Sequence, residues 1–347
     1  MRALQMVKRN SDPELADVPE PEPGPGQVVV KVGAAGACHS DIHILYEMPG
    51  DGPAPWPLPF TLGHETAGWV HKLGPGVTGL EPGQAVAVHG AWGCGICARC
   101  RAGIENYCEK PVPQGGLGID GGMAEFLLVP DGRHLVPLPD GVDPATAAPL
   151  TDAGLTPYHA IRRSWGKLPP TATAVVIGVG GLGHMAVQIL KATTPARVVA
   201  VDSKPEARQL ARSLGADDVV SPGESAASEI RGLTRGQGAD VVLDFVGSDE
   251  TIRLGIAAAR PLGDVTIVGI GGGSYPLGFF SMPYEVSVQS VYWGSRSELV
   301  ELLDLAARGL VRPEVTTFSL EEAPEAYLAL HEGTLTGRAV VIPNAGP

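Results

Sequence analysis

The sequence predicts an α/β protein in which a doubly wound parallel sheet follows a smaller, irregular β domain. A strand, a glycine-rich turn, a helix and a second strand ending in an acid occupy Ala174 to Asp202. Beyond that stretch, strand-like and helix-like segments alternate, which is typical of a parallel sheet with crossover helices. Before residue 150 the pattern differs, because short β-type runs are separated by Pro-Gly turns. These three observations together predict the fold class.

Composition and charge exclude several classes of function. A length of 347 residues favours about two domains. The net charge of −13 argues against nucleic acid or an anionic membrane surface as a partner. The apolar run after residue 174 is interrupted by glycines, His184 and Gln188, so it is too short for a membrane span. The N-terminal stretch has no apolar core of signal-peptide length, which predicts a cytoplasmic protein.

The first 150 residues predict a small β-barrel or sandwich. Runs typical of strands occupy 27–32, 66–73, 84–89 and 124–129, with turn signals such as Pro25-Gly26 and Pro82-Gly83 between them. Helical patterning begins near Ala145 and continues to Ser164.

The following segment predicts six parallel strands with helices between them. The strands are expected at 174–178, 197–201, 218–221, 240–245, 264–269 and 288–293, and the helices at 181–192, 205–214, 225–234 and 249–259. The last part predicts helices at 296–308 and 323–332 and a strand at 338–343. That part does not continue the alternation, so the chain is expected to return to the first domain. The predicted domains are 1–152 with 294–347, and 153–293.

The turn Gly178-Val179-Gly180-Gly181-Leu182-Gly183 predicts a dinucleotide site. The first glycine permits the tight turn, the second lets a pyrophosphate approach the backbone, and the third lets the helix lie close to the strand. The helix N-terminus then offers free N–H groups to phosphate. Asp202 suits the ribose hydroxyls and repels a 2′-phosphate, which favours NAD over NADP, although Lys204 and Arg208 lie near enough to leave NADP open.

Four of the five cysteines, Cys94, Cys97, Cys100 and Cys108, are spaced like the ligands of a structural zinc ion. Four thiolates close the tetrahedral shell, so this lobe (about residues 93–109) is not expected to bind substrate. Cys38, His64 and Asp152 form a second candidate set. One thiolate, one imidazole and one carboxylate would leave an open zinc position, but spacing alone cannot bring them together.

The chain resembles the zinc-dependent medium-chain alcohol dehydrogenases. The resemblance rests on Cys38-His39-Ser40-Asp41, Gly63-His64-Glu65, the cysteine lobe, the glycine turn and Asp202, and it covers essentially the whole chain. It implies a GroES-like β domain joined to a Rossmann domain, with the active site in the cleft between them. Asp152 stands where liver-type members carry cysteine. Asp152 and the Tyr292–Arg296 segment are similar to bacterial NAD-dependent secondary-alcohol dehydrogenases, which disfavours primary alcohols.

The resemblance also implies roles for individual residues. Cys38, His64 and Asp152 would hold a catalytic zinc ion that polarises the substrate oxygen, with Glu65 as an outer or exchanging ligand and Asp41 orienting His64. Ser40 and His43 would relay the proton to solvent. The residues expected to contact the cofactor, beyond the turn and Asp202, are His39, Thr156, Val246, Val268, Trp293 and Arg338. The residues expected to line the substrate pocket are Trp56, Leu117 and Trp293, with Tyr46 as a further candidate.

The sequence therefore predicts an NAD-dependent zinc alcohol dehydrogenase that interconverts small apolar secondary alcohols and ketones, with primary alcohols as a second class. Two alternatives stay open. One is a polyol or aldehyde reductase of the same family that uses NADP(H). The other is a non-catalytic NAD-binding protein that uses the cysteine lobe as a thiol redox sensor. A homo-oligomer, dimer or tetramer, is expected through edge-strand pairing at Ser287 to Trp293. The other histidines, such as His89, His134 and His184, are expected to be structural.

Overall fold

The computed structural model describes residues 1–47, 56–110 and 113–347. The strands in chain order are β1 (Arg2–Met6), β2 (Glu14–Asp17), β3 (Val28–Ala37), β4 (Phe60–Thr61), β5 (Glu65–Leu73), β6 (Ala85–Val88), β7 (Gln114–Gly115), β8 (Gly118–Ile119), β9 (Phe126–Val129), β10 (Leu135–Pro137), β11 (Thr173–Ile177), β12 (Arg197–Val201), β13 (Asp218–Val220), β14 (Ala239–Asp244), β15 (Ala259–Ile267), β16 (Ser287–Ser290), β17 (Val315–Ser319) and β18 (Arg338–Ile342).

The α-helices in chain order are α1 (His39–Ile42), α2 (Ala98–Arg101), α3 (Pro144–Pro149), α4 (Leu155–Arg163), α5 (Gly183–Thr193), α6 (Pro205–Ser213), α7 (Ala226–Leu233), α8 (Asp249–Ala258), α9 (Arg296–Ala307) and α10 (Ala323–His331). Two π-helical turns, His43–Glu47 and Leu150–Gly154, follow α1 and α3. Short 3-10 turns occupy Glu105–Tyr107, Gly132–His134 and Trp165–Lys167.

The chain divides into two compact units. Unit 1 contains residues 1–155, 294–308 and 313–347, and unit 2 contains residues 156–293 and 309–312. The C-terminal segment thus belongs with the N-terminal one. No helix among the described residues combines the length and the apolar character needed to cross a membrane.

Unit 2 is the predicted doubly wound sheet. Its six strands lie in the order β13-β12-β11-β14-β15-β16, and every neighbouring pair is parallel. The central strand β11 is buried at every position, because helices cover both faces of such a sheet. Valines of β11, β12 and β14 pack with Ile230 of α7 in the core of this unit.

The predicted bounds of two strands in unit 2 are wrong. The segment expected at 288–293 is extended only over Ser287–Ser290. Trp293 has a φ of 53°, which a strand cannot accommodate. The segment expected at 264–269 begins earlier, at Ala259, and contains an irregularity at Leu262, whose φ is 65°.

Unit 1 is a β domain whose main sheet has the order β10-β6-β5-β3-β18-β17, with β9 also paired to β3. The pairs of this sheet are antiparallel except β17 with β18, which is parallel. The long strand β3 is buried at nine of its ten positions and pairs with β5, β18 and β9. Strand β18 runs antiparallel to β3 and pairs Ala339 with Ala37, one residue before Cys38. The C-terminal segment therefore pairs with the central strand of the unit.

A π-helical turn lies between two helices, α3 and α4, at a predicted ligand. Helix α3 ends at Pro149, the turn Leu150–Gly154 contains Asp152, and α4 follows directly. A π-turn adds one residue to a helical turn and recurs at functional sites.

Candidate metal centres and dinucleotide site

Cys38, His64, Glu65 and Asp152 form a cluster in unit 1. Each offers a ligand atom, and these atoms all lie within 4.8 Å of one another. Cys38 follows β3, His64 and Glu65 stand at the start of β5, and Asp152 lies in the π-turn. Because β3 and β5 are neighbours that pair Gly36 with Glu65, the sheet register brings the first three residues together. All but Asp152 are buried.

The side chains of this cluster face one another closely. Oδ2 of Asp152 lies 3.4 Å from Nε2 of His64 and 3.7 Å from Sγ of Cys38. Oδ1 of Asp41 lies 3.1 Å from Nδ1 of His64, so the other ring nitrogen, Nε2, faces the cluster. Burial alone would lower the pKa of His64, but the Asp41 carboxylate outweighs it and raises that pKa well above its ordinary value. A cation entering the cluster therefore has to displace a proton.

Glu65 forms a fully buried ion pair with Arg338 of β18. Burial raises the pKa of Glu65 to about 7, against the opposing effect of Arg338. Oε1 of Glu65 meets the guanidinium, but Oε2 is buried and has no hydrogen-bond partner within the described residues. A buried carboxylate oxygen without a partner is costly, and a cation beside it would satisfy it. The donor set and this orphaned oxygen fit a zinc ion.

The four other thiols form the predicted lobe in the same unit. The sulfur atoms of Cys94, Cys97, Cys100 and Cys108 lie within 4.8 Å of one another. Backbone N–H groups point at them: Cys94 donates to Cys108 Sγ at 3.3 Å, and Cys100 donates to Cys97 Sγ at 3.5 Å. The Cys100 N–H group lowers the pKa of Cys97 to about 6. N–H groups directed at sulfur favour the thiolate form, which zinc binds.

The glycine turn of unit 2 has the geometry that a dinucleotide site needs. Gly178 has a φ of 84°, and a Cβ there would lie 2.7 Å from Val246. A Cβ on Gly183 would overlap the carbonyl oxygen of Gly178, so this glycine is what lets α5 begin so close to β11. A Cβ on Gly180 would meet no protein atom within 4 Å. The fold itself therefore does not require glycine at 180, whereas a pyrophosphate lying in that open space would.

Asp202 follows β12 and is fixed by the backbone. Its Oδ2 accepts a hydrogen bond from the backbone N–H group of Val179 at 2.7 Å, and its Oδ1 accepts one from the backbone N–H group of Lys204 at 2.8 Å. Arg208 donates instead to the carbonyl oxygens of Asp202 and Ser203, at 2.6 and 2.8 Å. The hydrogen bond to Val179 therefore holds the Asp202 side chain beside the glycine turn, where NAD selection requires an acid.

Of the two residues predicted for the proton relay, Ser40 lies next to the first cluster. Ser40 Oγ is 3.7 Å from Cys38 Sγ. His43 is ion-paired with Glu47, and its ring centroid is 5.8 Å from that of His39. Burial lowers the pKa of His39, with a smaller contribution from His43.

The residues predicted to contact substrate and nicotinamide are divided between the units. In unit 1, Trp56 packs edge-on against Phe60. Trp56 also lies close to Gly118, the residue after Leu117, because a Cβ atom added to Gly118 would be 3.2 Å from Trp56. Tyr46 donates its hydroxyl to Asp12. The predicted cofactor contacts Thr156, Val246, Val268 and Trp293 all belong to unit 2.

The histidines predicted to be structural have protein partners. His89 Nε2 lies 2.8 Å from the carbonyl oxygen of Gly294, and His184 Nδ1 lies 2.9 Å from that of Gly180. His134 is buried, and burial lowers its pKa to about 3.

One residue that touches the first cluster's surroundings was not predicted. Tyr327 of α10 donates a hydrogen bond to Asp41 at 2.9 Å. Sequence spacing carries no signal for a contact between residues 286 positions apart.

Comparisons with known proteins agree with this arrangement. Residues 24–140 match the family model of the alcohol dehydrogenase GroES-like domain, and residues 181–308 match that of zinc-binding dehydrogenases. An NAD-dependent alcohol dehydrogenase of Sulfurisphaera tokodaii is 38% identical over 99% of this chain and 100% of its own length. A D-arabinose 1-dehydrogenase (NADP(+)) of Saccharolobus solfataricus is 33% identical over 97% of this chain and 97% of its own length.

Solved structures show the same similarity. The alcohol dehydrogenase of Aeropyrum pernix superposes with a TM-score of 0.91 at 38% identity and covers 99% of this chain and 100% of its own. An acetophenone reductase of Geotrichum candidum, solved with NAD, has a TM-score of 0.87 at 35% identity and covers 98% of this chain and 96% of its own.

Proposed function

The chain belongs to the zinc-dependent medium-chain alcohol dehydrogenase family, and from that membership we propose how its residues carry out the reaction. It is an NAD-dependent alcohol dehydrogenase that transfers hydride reversibly between NAD(H) and small apolar secondary alcohols or ketones, with primary alcohols as a second class. The proposals below concern the residues that do this, the number of zinc ions and the assembly.

The first cluster, formed by Cys38, His64, Glu65 and Asp152, is the proposed catalytic centre, and we call it the open cluster because zinc there would keep a free coordination position. Cys38, His64 and Asp152 would hold a zinc ion through a sulfur, a nitrogen and an oxygen atom. The observation that carries this assignment is the buried Oε2 of Glu65, which lacks a hydrogen-bond partner within the described residues and belongs to the same cluster. When bound there, zinc supplies a Lewis acid that polarises the substrate oxygen. Glu65 is proposed as an outer or exchanging ligand, because Arg338 holds its other oxygen away from the cluster.

The chain's own groups handle the proton. Ser40, adjacent to Cys38 in space, is proposed to accept the hydroxyl proton of the alcohol, and His43 to pass it to solvent. Asp41 keeps His64 in one tautomer, so that Nε2 is the ligand atom. His43 is half-buried and paired with Glu47, a position from which an imidazole can exchange protons with water.

The cysteine lobe is proposed to hold a second, structural zinc ion. Its four sulfur donors complete a tetrahedral shell without an open position. Two zinc ions per chain are therefore expected. The thiol redox sensor stays an alternative only if that metal is missing from the purified protein.

NAD is proposed to lie with its pyrophosphate over Gly180 and its adenosine ribose on Asp202. The predicted cofactor contacts His39 and Arg338 are proposed to meet the pyrophosphate, and Arg338 is also the partner of Glu65. The NADP-dependent reductase is the alternative that the D-arabinose relative suggests. Initial rates with NADH and NADPH separate the two, since a preference for NADPH would contradict the role of Asp202.

A homo-oligomer is also proposed. Strand β16 is one edge of the parallel sheet and, among the described residues, pairs with β15 alone. The preceding segment exposes large apolar side chains, including Phe279 at 74% and Phe280 at 88% exposure. Exposed apolar side chains next to an open strand edge suit a second copy of the chain. A cytoplasmic location is proposed too, and cell fractionation tests it.

The decisive experiment compares metal content and turnover. We expect purified protein to contain two zinc ions per chain and Cys38→Ser to contain one, with turnover abolished. NADH affinity of Cys38→Ser should stay within about twofold, because the glycine turn belongs to the other unit. Full activity of Cys38→Ser would refute the assignment of the catalytic centre.

A further inference from the structure

Asp41 is a buried carboxylate that touches two of the proposed metal ligands at once. Its Oδ1 lies 3.1 Å from Nδ1 of His64, and its Oδ2 accepts a hydrogen bond from the backbone N–H group of Cys38 at 3.1 Å. Asp41 has no solvent exposure. Bulk water therefore does not reach the carboxylate, and the protein groups around it hold its orientation.

The third group on this carboxylate comes from the C-terminal segment. Tyr327 of α10 donates its hydroxyl to Oδ2 of Asp41 at 2.9 Å. Tyr327 is 1% exposed and belongs to the same hydrophobic core of unit 1 as Ala323 and Ala326. Burial raises the pKa of Tyr327 well above its ordinary value, so the hydroxyl remains a donor. A core packed on all sides allows the hydroxyl little movement.

A buried tyrosine hydroxyl always needs a partner, and a backbone carbonyl would serve that purpose. Here the partner is the carboxylate that orients His64. Two fixed donors on Oδ2, the Cys38 N–H group and the Tyr327 hydroxyl, leave Oδ1 directed at Nδ1 of His64. That arrangement keeps Nε2 of His64 facing Cys38 and Asp152. The role of Tyr327 is thus separable from simple packing, because it should affect the metal site through Asp41.

We propose that Tyr327 is a positioning residue for the open metal centre: its hydroxyl holds Asp41 and, through Asp41, holds His64 in the orientation that binds zinc. This inference rests on the proposed function, since it takes the cluster of Cys38, His64 and Asp152 as a zinc site. It extends that site by a residue from the far end of the chain.

The test measures zinc affinity, not only turnover. Full-length holoprotein is titrated with a zinc chelator, and the open-site and lobe populations are assigned by comparison with Cys38→Ser. Tyr327→Phe is expected to bind open-site zinc about 10-fold more weakly, the lower end for loss of a group supporting a ligand. Zinc in the cysteine lobe should be unaffected. The matched control is Tyr46→Phe, which removes a tyrosine hydroxyl that donates to a different aspartate, Asp12, and should leave both zinc affinities unchanged.

A double-mutant cycle separates positioning from packing. If Tyr327 acts through Asp41, then Tyr327→Phe should change zinc affinity less than about twofold when Asp41 is already Asn. Effects of the two substitutions that multiply would overturn the proposal, as would open-site affinity of Tyr327→Phe equal to wild type. Should Tyr327→Phe fail to fold, Asp41→Asn still tests the link through which Tyr327 is proposed to act, since it leaves the ring in the core. Wild-type zinc affinity in Asp41→Asn would then refute the proposal.

The outcome also distinguishes this inference from the proposed function. Wild-type protein that holds only lobe zinc would refute the open metal centre itself. Wild-type protein that holds both ions, with Tyr327→Phe unchanged, would refute only the role of Tyr327.

Discussion

Two glycines of one turn should respond to alanine in opposite ways, because only one of them is crowded by the protein. A Cβ at Gly183 would overlap the carbonyl oxygen of Gly178, which is backbone and cannot rotate away. Forcing extra atoms into a packed region costs about 1–3 kcal/mol, and the upper part of that range applies to a backbone clash. Gly183→Ala should therefore lower the Tm of the NAD-free protein by roughly 5–10 °C.

Gly180→Ala should instead leave the NAD-free protein as stable as wild type. A Cβ there meets no protein atom within 4 Å, and the residue does not have a positive φ. The same methyl group would stand where the pyrophosphate is proposed to lie. Loss of one hydrogen bond from a backbone N–H group to a charged phosphate is worth about 1.5–3 kcal/mol. The Kd for NADH should rise by roughly 10- to 100-fold.

Calorimetry of the NAD-free variants and fluorescence titration with NADH measure the two quantities separately. Wild-type NADH affinity in Gly180→Ala would show that the turn does not hold the pyrophosphate. Wild-type Tm in Gly183→Ala would refute the close approach of α5 and β11. Each glycine serves as the control for the other.

Three further predictions concern the cysteine lobe, a buried histidine and the cofactor. Cys97→Ser should lose the proposed structural zinc and lower the Tm by roughly 10 °C, while its NADH affinity stays unchanged. Metal analysis and calorimetry measure these effects, and an unchanged Tm would contradict the structural role. His134, which faces Arg133, His89 and Arg296, has a folded-state pKa of about 3, below its value in the unfolded chain. The unfolded state therefore takes up more protons below about pH 6.5, and stability should fall by about 1.4 kcal/mol per pH unit from there towards pH 3. His134→Gln should remove that slope in denaturant unfolding series, and a slope that persists would assign it to other groups. Asp202→Ser should raise the ratio of kcat/KM for NADPH over NADH by roughly 100-fold, because a like charge beside the 2′-phosphate costs several kcal/mol; steady-state kinetics with an unchanged ratio would contradict the role of Asp202.

The parallel sheet could be predicted in some detail because its signal is local. The strand β11 reads as an apolar run, the glycine turn follows at once, and α5 and β12 come next in sequence. Fully buried strands and short connections leave a periodicity that a single sequence displays. The error at 288–293 has a local cause too, because nothing in the residue types announces that Trp293 adopts a positive φ.

The surroundings of the open cluster could not be predicted from residue patterns in the same way. The metal-ligand types are recognisable at Cys38 and His64, but Asp152 is far away in sequence, and only the resemblance to a family joined them. The ion pair of Glu65 with Arg338 links residues 273 positions apart. Such contacts depend on β18 pairing with β3, and pairing between strands at opposite ends of a chain leaves no spacing to read.

Unit 1 is built from three separate segments of the chain, which determines the order in which its sites receive all their residues during synthesis. The sulfur donors of the lobe all lie between residues 94 and 108, so they emerge from the ribosome together and early. The parallel sheet is complete once β16 has been synthesised. Asp41 and Glu65 gain their partners Tyr327 and Arg338 only when the C-terminal segment has been synthesised. The proposed catalytic metal site is therefore the last of the three to have all its residues synthesised, after the dinucleotide-binding unit already has all its strands.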